Sequence, residues 1–349
     1  MVTRAAPYLE KLEGALDLDW ERQKLGRWKR VLAFEPQDEP FAAHRAAAPE
    51  AQPGEWPRLT INQALADPEA MLLHQLGEVY RQVCRRQLTI PSIRANYGTG
   101  ILPSVLGAEL FWMEEQLETL PTARALSGGD PFEKLLAGGE PELARGQGAQ
   151  VFEAGQYFLE ALAAYPKIRE AVWIYHPDLQ GPVDVLELLV GGEMFTAFYD
   201  RPEVVKQALE LVTRTYIRFL DRWFERIPRK EHAGCFAHWG LLCRGPVMLR
   251  DDSLVNLSDE TYREFVKPYD DRILARFGGG AIHFCGKADH CVERMTGTPE
   301  LTAVHLSQPE LNDMPRVLAA TVGRGKVLMT GKKAAERGGL DLTRGVVLL

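Results

Sequence analysis

The chain has no dense run of positive charge. Its 349 residues carry 41 Lys and Arg against 48 Asp and Glu, a formal net charge of −7 at pH 7. The tightest basic group is Arg81 with Arg85 and Arg86. A surface that neutralises a phosphate backbone needs many more cations on one face, so nucleic acid is excluded as a partner. No apolar stretch reaches the roughly 18 residues of a membrane span, and Met1-Val2-Thr3-Arg4 does not open into the apolar core of a signal peptide. Cysteine is scarce. Five of them, an odd number in a long chain, argue against a disulfide framework and for a reducing compartment. A cytoplasmic protein without membrane or nucleic-acid partners is the expectation. Also missing is a Gly-x-Gly-x-x-Gly behind an early strand, which weakens a dinucleotide-binding fold.

What is present is an ordinary globular composition, 46% apolar and 26% charged. Residues 7–35 read as helix, with Leu12, Leu16, Trp20, Leu25, Trp28 and Leu32 near helical spacing. A Pro-rich passage from Pro36 to Pro57 reads as a surface loop, and Pro68 to Arg85 as a second helix. Residues 1–58 are therefore expected to form an N-terminal helical arm and loop, and 59–349 the main domain. From Leu88 onward short β-like runs alternate with helices: Ile93–Asn96, Ala171–Tyr175, Ala233–Phe236, Ala281–Phe284, Thr302–Leu306, Lys326–Thr330 and Gly345–Leu349, with Leu59–Asn62 as an earlier one. Asp200 is placed to cap a helix running to Ile227 and Ser258 to cap another, in which Pro268 predicts a kink. Such alternation implies a parallel sheet with right-handed crossovers. Seven or eight strands in roughly 290 residues fit a (β/α)8 TIM barrel better than an open sheet, with the last barrel helix absent.

In a barrel the site belongs at the C-terminal strand ends, and polar residues follow the apolar runs there. His283 and Cys285 lie two apart on an extended run, so both face the same way, and Gly286 follows at once. An imidazole and a thiol converging in this way suit zinc or a similar borderline metal; the bland alternative is a core histidine beside a buried cysteine. Two ligands do not make a site, and Glu310 or Gln308, past the next strand, are the nearest candidates to complete it. Cys291, His290 and Cys235 stand further off. Adjacent carboxylates cannot share one strand face, so at most one of Asp251 and Asp252 points inward, to bind a cation or move a proton. Asp252 and His238 are the catalytic candidates. Asn96, Tyr97, Asp178, Gln180 and Gln308 are the candidates for binding a small-molecule substrate, with Gly98 and Gly100 permitting close backbone approach beside Tyr97. Asp178 has an alternative role in holding a loop together. Lys287, next to the pair, would attract an anion. His44, His74 and His305 have no supporting neighbours and read as structural.

At these residues the chain resembles the uroporphyrinogen decarboxylase superfamily. The resemblance covers roughly residues 60–349 and rests on Ile93 to Gly100, Pro177 to Pro182, Leu257-Ser258 through Pro268-Tyr269, and Ile282-His283-Phe284-Cys285-Gly286. It implies a (β/α)8 barrel and either tetrapyrrole decarboxylation or zinc-dependent methyl transfer linked to a corrinoid. The decarboxylases carry an arginine-rich N-terminal loop and an aspartate against the pyrrole nitrogens. No such loop precedes Leu59, and Asn96 to Gly98 offer no carboxylate. A cationic pyrrole intermediate would lose its electrostatic stabiliser. The methyltransferase branch is nearer: its His-x-Cys motif matches His283 and Cys285. Its third ligand, a cysteine beyond the final strand, has no counterpart before Leu349, which leaves Glu310, Gln308, a substrate group, or no metal. The apolar last strand then needs cover from the N-terminal helix or from a second copy of the chain. The resemblance implies zinc as cofactor, a corrinoid protein as partner, and methyl transfer to a thiol or similar acceptor. The alternatives are a tetrapyrrole decarboxylase and a non-catalytic protein that binds a corrinoid or porphyrin.

Overall fold

The computed structural model describes residues 4–46, 54–334 and 340–349. Its strands are β1 (Phe41–Ala42), β2 (Ser92–Ile93), β3 (Leu110–Phe111), β4 (Thr122–Ala123), β5 (Trp173–Ile174), β6 (Cys235–His238), β7 (Leu241–Arg244), β8 (Val247–Arg250), β9 (Gly280–Phe284), β10 (Leu301–Leu306), β11 (Val327–Thr330) and β12 (Val346–Leu348). Six of them form a parallel sheet in the order β1-β12-β11-β10-β9-β8. β2 and β5 make a separate parallel pair. Gly181 N–H, beyond β5, donates to Arg250 C=O at 2.7 Å and links that pair to β8. From β8 to β11, chain order and spatial order coincide, with helices Lys267–Phe277, Val292–Met295 and Met314–Ala320 in the connections. This is the arrangement expected of right-handed β/α crossovers. No helix among the described residues is long and apolar enough to cross a membrane.

Local chemistry corrects several expectations. Leu59–Asn62 is not a strand. The Thr60 hydroxyl accepts from Gln63 N–H while the Gln63 side chain accepts from Thr60 N–H, a capping box that starts the helix Ile61–Ala64. Residues 7–35 are two helices, Ala6–Ala15 and Leu18–Leu32, because Asp17 accepts from the N–H groups of Asp19 and Trp20 and starts the second. Asp200 ends the helix Glu193–Asp200, and the next, Pro202–Arg226, has no side-chain cap. Ser258 does cap, accepting from Thr261 N–H at 3.1 Å. Pro268 is accommodated by a π turn over Tyr262–Val266, just before the helix Lys267–Phe277. β6 runs antiparallel to β7 as a hairpin, and Val247–Arg250, which reads as the way into a loop, is a fully buried strand.

The flank of β12 is not bare. Phe41 pairs with Val347 and Ala42 with Leu348, so the Pro-rich passage supplies a strand to the main sheet. The rest of that passage, 47–53, lies outside the described residues.

Alternation along the parallel strands sorts side chains into two cores. Leu249, Ile282, Phe284, Val304, Leu306, Leu328 and Leu348 join the helices in the larger one. Met248, Ala281, Ala303, Met329 and Val347 face the other way and pack with Trp28, Leu32 and Phe41. Trp28, fully buried, donates from Nε1 to Leu88 C=O at 2.6 Å, which satisfies its one polar atom. Truncating it to Ala would cost about 3–5 kcal/mol. One pleat further along, each strand turns polar. Arg250 pairs in register with His283, and His283 with His305. Asp252, Cys285 and Ser307 follow two residues later. A polar tier therefore sits on the apolar floor at the C-terminal ends of three adjacent strands.

Candidate metal and active site

Three side chains from that tier converge. Cys285 Sγ lies 3.4 Å from His283 Nε2, Asp252 Oδ1 lies 3.6 Å from the same nitrogen, and the three ligand atoms all fall within 4.8 Å of one another. Backbone geometry enforces the grouping. Cys285 N–H donates to Asp252 Oδ1 at 2.9 Å, so the end of β9 grips the turn that follows β8. Asp184 holds that turn from beneath, accepting from Asp252 N–H at 2.7 Å and Ser253 N–H at 2.9 Å. Past Cys285, Gln308 Oε1 accepts from Gly286 N–H at 2.7 Å. Asn312 Oδ1 takes the N–H groups of Ala288 and Asp289, and its Nδ2 donates to Gly286 and Gln308 carbonyls.

The protonation of the cluster follows from its surroundings. Burial lowers the His283 imidazole below its ordinary value against the opposing pull of Asp252. Burial raises the Cys285 thiol, with Ser307 opposing and Asp252 adding to the rise. A neutral imidazole and a protonated thiol result at neutral pH. Ser307 Oγ donates to Cys285 Sγ at 3.1 Å. Behind His283, its Nδ1 meets His305 Nδ1 at 3.0 Å. Burial, then His283 and Arg250, hold His305 far below the usual imidazole range, so it is neutral too.

The donor set fits zinc. Zinc bonds of about 2.0–2.3 Å in a tetrahedron place ligand atoms roughly 3.3–3.8 Å apart, and the separations of His283 Nε2 from Cys285 Sγ and from Asp252 Oδ1, 3.4 and 3.6 Å, fall in that interval. One N, one S and one O ligand leave a fourth position free, the pattern of a catalytic rather than a structural site. Asp252, with its side chain 42% exposed, lines a cavity of about 480 Å³ together with Gln180, Asp184, Glu187 and Ser253.

A charged layer flanks the cluster. Asp178 takes Arg250 Nε at 2.8 Å on one oxygen and Arg94 Nη1 at 3.1 Å on the other. Burial raises that carboxyl, and Arg250 and Arg94 outweigh it, leaving Asp178 below the ordinary carboxylate value. The Trp239 ring lies against both cations, with Arg250 4.3 Å and Arg94 5.5 Å from its centroid. Its ring also meets His283 and His305 at centroid distances of 5.0 and 5.7 Å. Trp239 and Gly240 form the two-residue turn of the β6–β7 hairpin, both with positive φ (49° and 75°). Glycine tolerates this and tryptophan does not, at a cost of about 1–3 kcal/mol. The hairpin accepts the strain and puts an indole between two cations and two imidazoles.

The structure thus groups Asp252, His283 and Cys285, holds Gln308 beside them, and ties Gln180 to Asp178 at 3.2 Å. It separates others. Glu310 is not part of this three-residue group; its carboxylate accepts from Lys333 at 2.9 Å, and Asp252, from the turn after β8, stands beside His283 and Cys285 instead. His238 is buried against His176 and Tyr175 and held well below its usual pKa by burial and by His176, so it lines neither cavity. Tyr97 packs in the larger core, where burial pushes its phenol up to about 12, while Asn96 next to it faces a cavity. Lys287 is exposed. Although Trp239 and Ser307 stand among the polar residues that follow the apolar runs, sequence reasoning gives no functional role to His305, Ser307, Arg94, Arg250 and Trp239. The first two carry a usable signal: Ala303-His305-Ser307 repeats the spacing of Ala281-His283-Cys285 on the next strand.

No protein-family model and no curated protein sequence matches the chain. Among solved structures it is similar to a methyltransferase from Methanosarcina mazei, at a TM-score of 0.65 and 16% identity, over 91% of this chain and 90% of that one. The likeness is one of fold, and it extends over nearly the whole of both chains.

Proposed function

We propose that the protein is a zinc-dependent methyltransferase on a (β/α)8-type scaffold of the uroporphyrinogen decarboxylase superfamily, with Asp252, His283 and Cys285 as the metal ligands. The observation that carries the reading is the convergence of these three donors within 4.8 Å of one another beside an open cavity. The fold shared with a methyltransferase supports it. Bound there, zinc would supply Lewis acidity, lowering the pKa of an acceptor thiol so that it is presented as thiolate to an electrophilic methyl group. The chain's own residues prepare for this. His283 offers a neutral ring nitrogen, Asp252 supplies the negative charge, and the Gln308–Asn312 clasp fixes the backbone that carries Cys285. The methyl donor expected from the resemblance is a methylated corrinoid on a partner protein. Decarboxylation of a tetrapyrrole is disfavoured, because Asn96 to Gly98 offer no carboxylate against a cationic pyrrole.

Metal analysis after loading with zinc and desalting tests the assignment. One equivalent per chain is expected, with large losses in His283→Ala, Cys285→Ser and Asp252→Asn. Less than about a tenth of an equivalent in the unmodified protein, or equal loading by all three variants, would remove the proposal.

A further inference from the structure

A second cavity, of about 1070 Å³, is not lined by Asp252, His283 or Cys285. It approaches them from another side, and Trp239 is the partition: its ring lines the cavity and packs edge-on against His283. Charge is distributed unevenly along this space. Its outer rim mixes Arg58 and Arg81 with Glu55, Glu78 and Glu118, and Arg81 is already paired with Glu78 at 2.7 Å. The inner end is different. There two guanidiniums share the single carboxylate of Asp178, and one of them, Arg94, lines the cavity. Arg94 Nε donates to Asn96 Oδ1 and its Nη1 to Asp178, which leaves Nη2 without a partner among the described residues. Arg250 Nη2, fully buried, is unpartnered as well. Around this surplus of donors stand flat rings, Trp239 and Tyr175 at the inner end and Trp56 and Tyr80 further out.

We propose that this cavity is a binding site for an aromatic carboxylate, its carboxylate on Arg94 and its ring against Trp239. A guanidinium donates to a carboxylate in two parallel bonds, and in a partly buried place such a charge-assisted contact is far stronger than its neutral counterpart. An aromatic ring gains from offset or edge contact with the indole. A saturated ring would not. The strained turn at Trp239 fits this role, because only there does the indole separate the chamber from His283. The inference goes beyond the methyl-transfer reading and does not rest on it, because the binding itself requires no metal.

Calorimetric titration of the full chain with benzoate, benzamide and cyclohexanecarboxylate provides the test, with the protein both zinc-loaded and chelator-treated. Benzoate is expected to bind at least about tenfold more tightly than benzamide, its neutral isostere, and more tightly than the non-aromatic acid. Arg94→Gln should abolish the preference for the charged probe, and Arg94→Lys should recover part of it, which separates lost charge from lost folding. Trp239→Leu should abolish the preference for the aromatic acid over the saturated one. Equal binding of benzoate and benzamide, a charge preference that survives Arg94→Gln, or no saturable benzoate binding up to millimolar concentration would each overturn the proposal. Benzoate binding that disappears with chelation would place the anion on the metal, overturning this inference while leaving the zinc site standing. The full pattern in a protein that takes up no zinc would do the reverse.

Discussion

The imidazoles of His283 and His305 meet Nδ1 to Nδ1 at 3.0 Å, and both are kept neutral by burial. Only one of the two nitrogens can carry the proton. For His283 Nε2 to offer a lone pair toward Cys285 and Asp252, the proton must sit on its Nδ1 and be accepted by His305. A metal-binding histidine ordinarily passes its second N–H to a carboxylate, a carbonyl or water; here the acceptor is another neutral ring.

His305→Phe removes the acceptor and keeps the bulk. Zinc affinity is expected to fall about 10–100-fold, as for other groups that orient a metal-binding histidine. His305→Asn, whose side-chain oxygen can still accept, should recover part of the loss. Competition with a chromophoric chelator measures both. Equal affinities in all three proteins would mean that the imidazole pair does not set the tautomer.

Asn312 makes four hydrogen bonds to the backbone that follows Cys285 and is 3% exposed. Asn312→Ala leaves several buried backbone groups unpaired and should cost about 2–4 kcal/mol in urea denaturation. Asn312→Asp keeps the two accepted bonds and loses the two donated ones, so its cost should be intermediate. Zinc content should follow the same order, since the clasp fixes the position of Cys285.

The strands β9, β10, β11 and β12 are legible because each is an apolar run with Gly, Pro or charge at its borders. β8 is not. Val247-Met248-Leu249 is followed directly by Arg250-Asp251-Asp252, and the charges make its end look like a loop. That one omission explains why Asp252 is not grouped with His283 and Cys285: with β10 as the only recognised neighbour of β9, Glu310 reads as the third donor. With β8 in place, the register Arg250↔His283 puts Asp252 beside Cys285. β1 is hidden for another reason, being two residues in a Pro-rich passage whose partner, β12, lies some three hundred residues away. No local pattern reports such a pairing. Arg94 and Trp239 escape because their roles depend on Asp178 and on a hairpin turn that composition does not signal.

Among the described residues Asp178 is the only carboxylate paired with Arg94 and Arg250, and Arg250 is 1% exposed. Asp178→Asn strands two cations and should destabilise the fold by about 3–5 kcal/mol at neutral pH. The native carboxyl titrates below its unfolded value. Its contribution is therefore complete above the unfolded pKa and is lost as pH falls through the folded one. The gap in stability between the natural protein and the variant should accordingly close below about pH 4. A gap that stays constant down to acid pH would show that the amide fails for reasons of packing instead.

Asp270 predicts the opposite slope. It and Asp251 are each 1% exposed, and neither accepts a hydrogen bond from a conventional donor among the described residues. The two carboxyl groups lie close enough to act on each other, and burial raises both well above the ordinary value. Asp184 nearby is raised in the same way, by burial and by Asp251. In the unfolded chain these groups lose their protons near pH 4, whereas in the folded protein they keep them to higher pH. The folded state then binds more protons, and stability declines as pH rises between the two values. Asp270→Asn removes one titrating group and gives Asp251 an amide donor. Urea denaturation from pH 4.5 to 7.5 should show a flatter profile for the variant, which equals or exceeds the natural protein at the neutral end. Parallel profiles would mean that the pair is already ionised when folded, with Lys267 as a cation acting on Asp270.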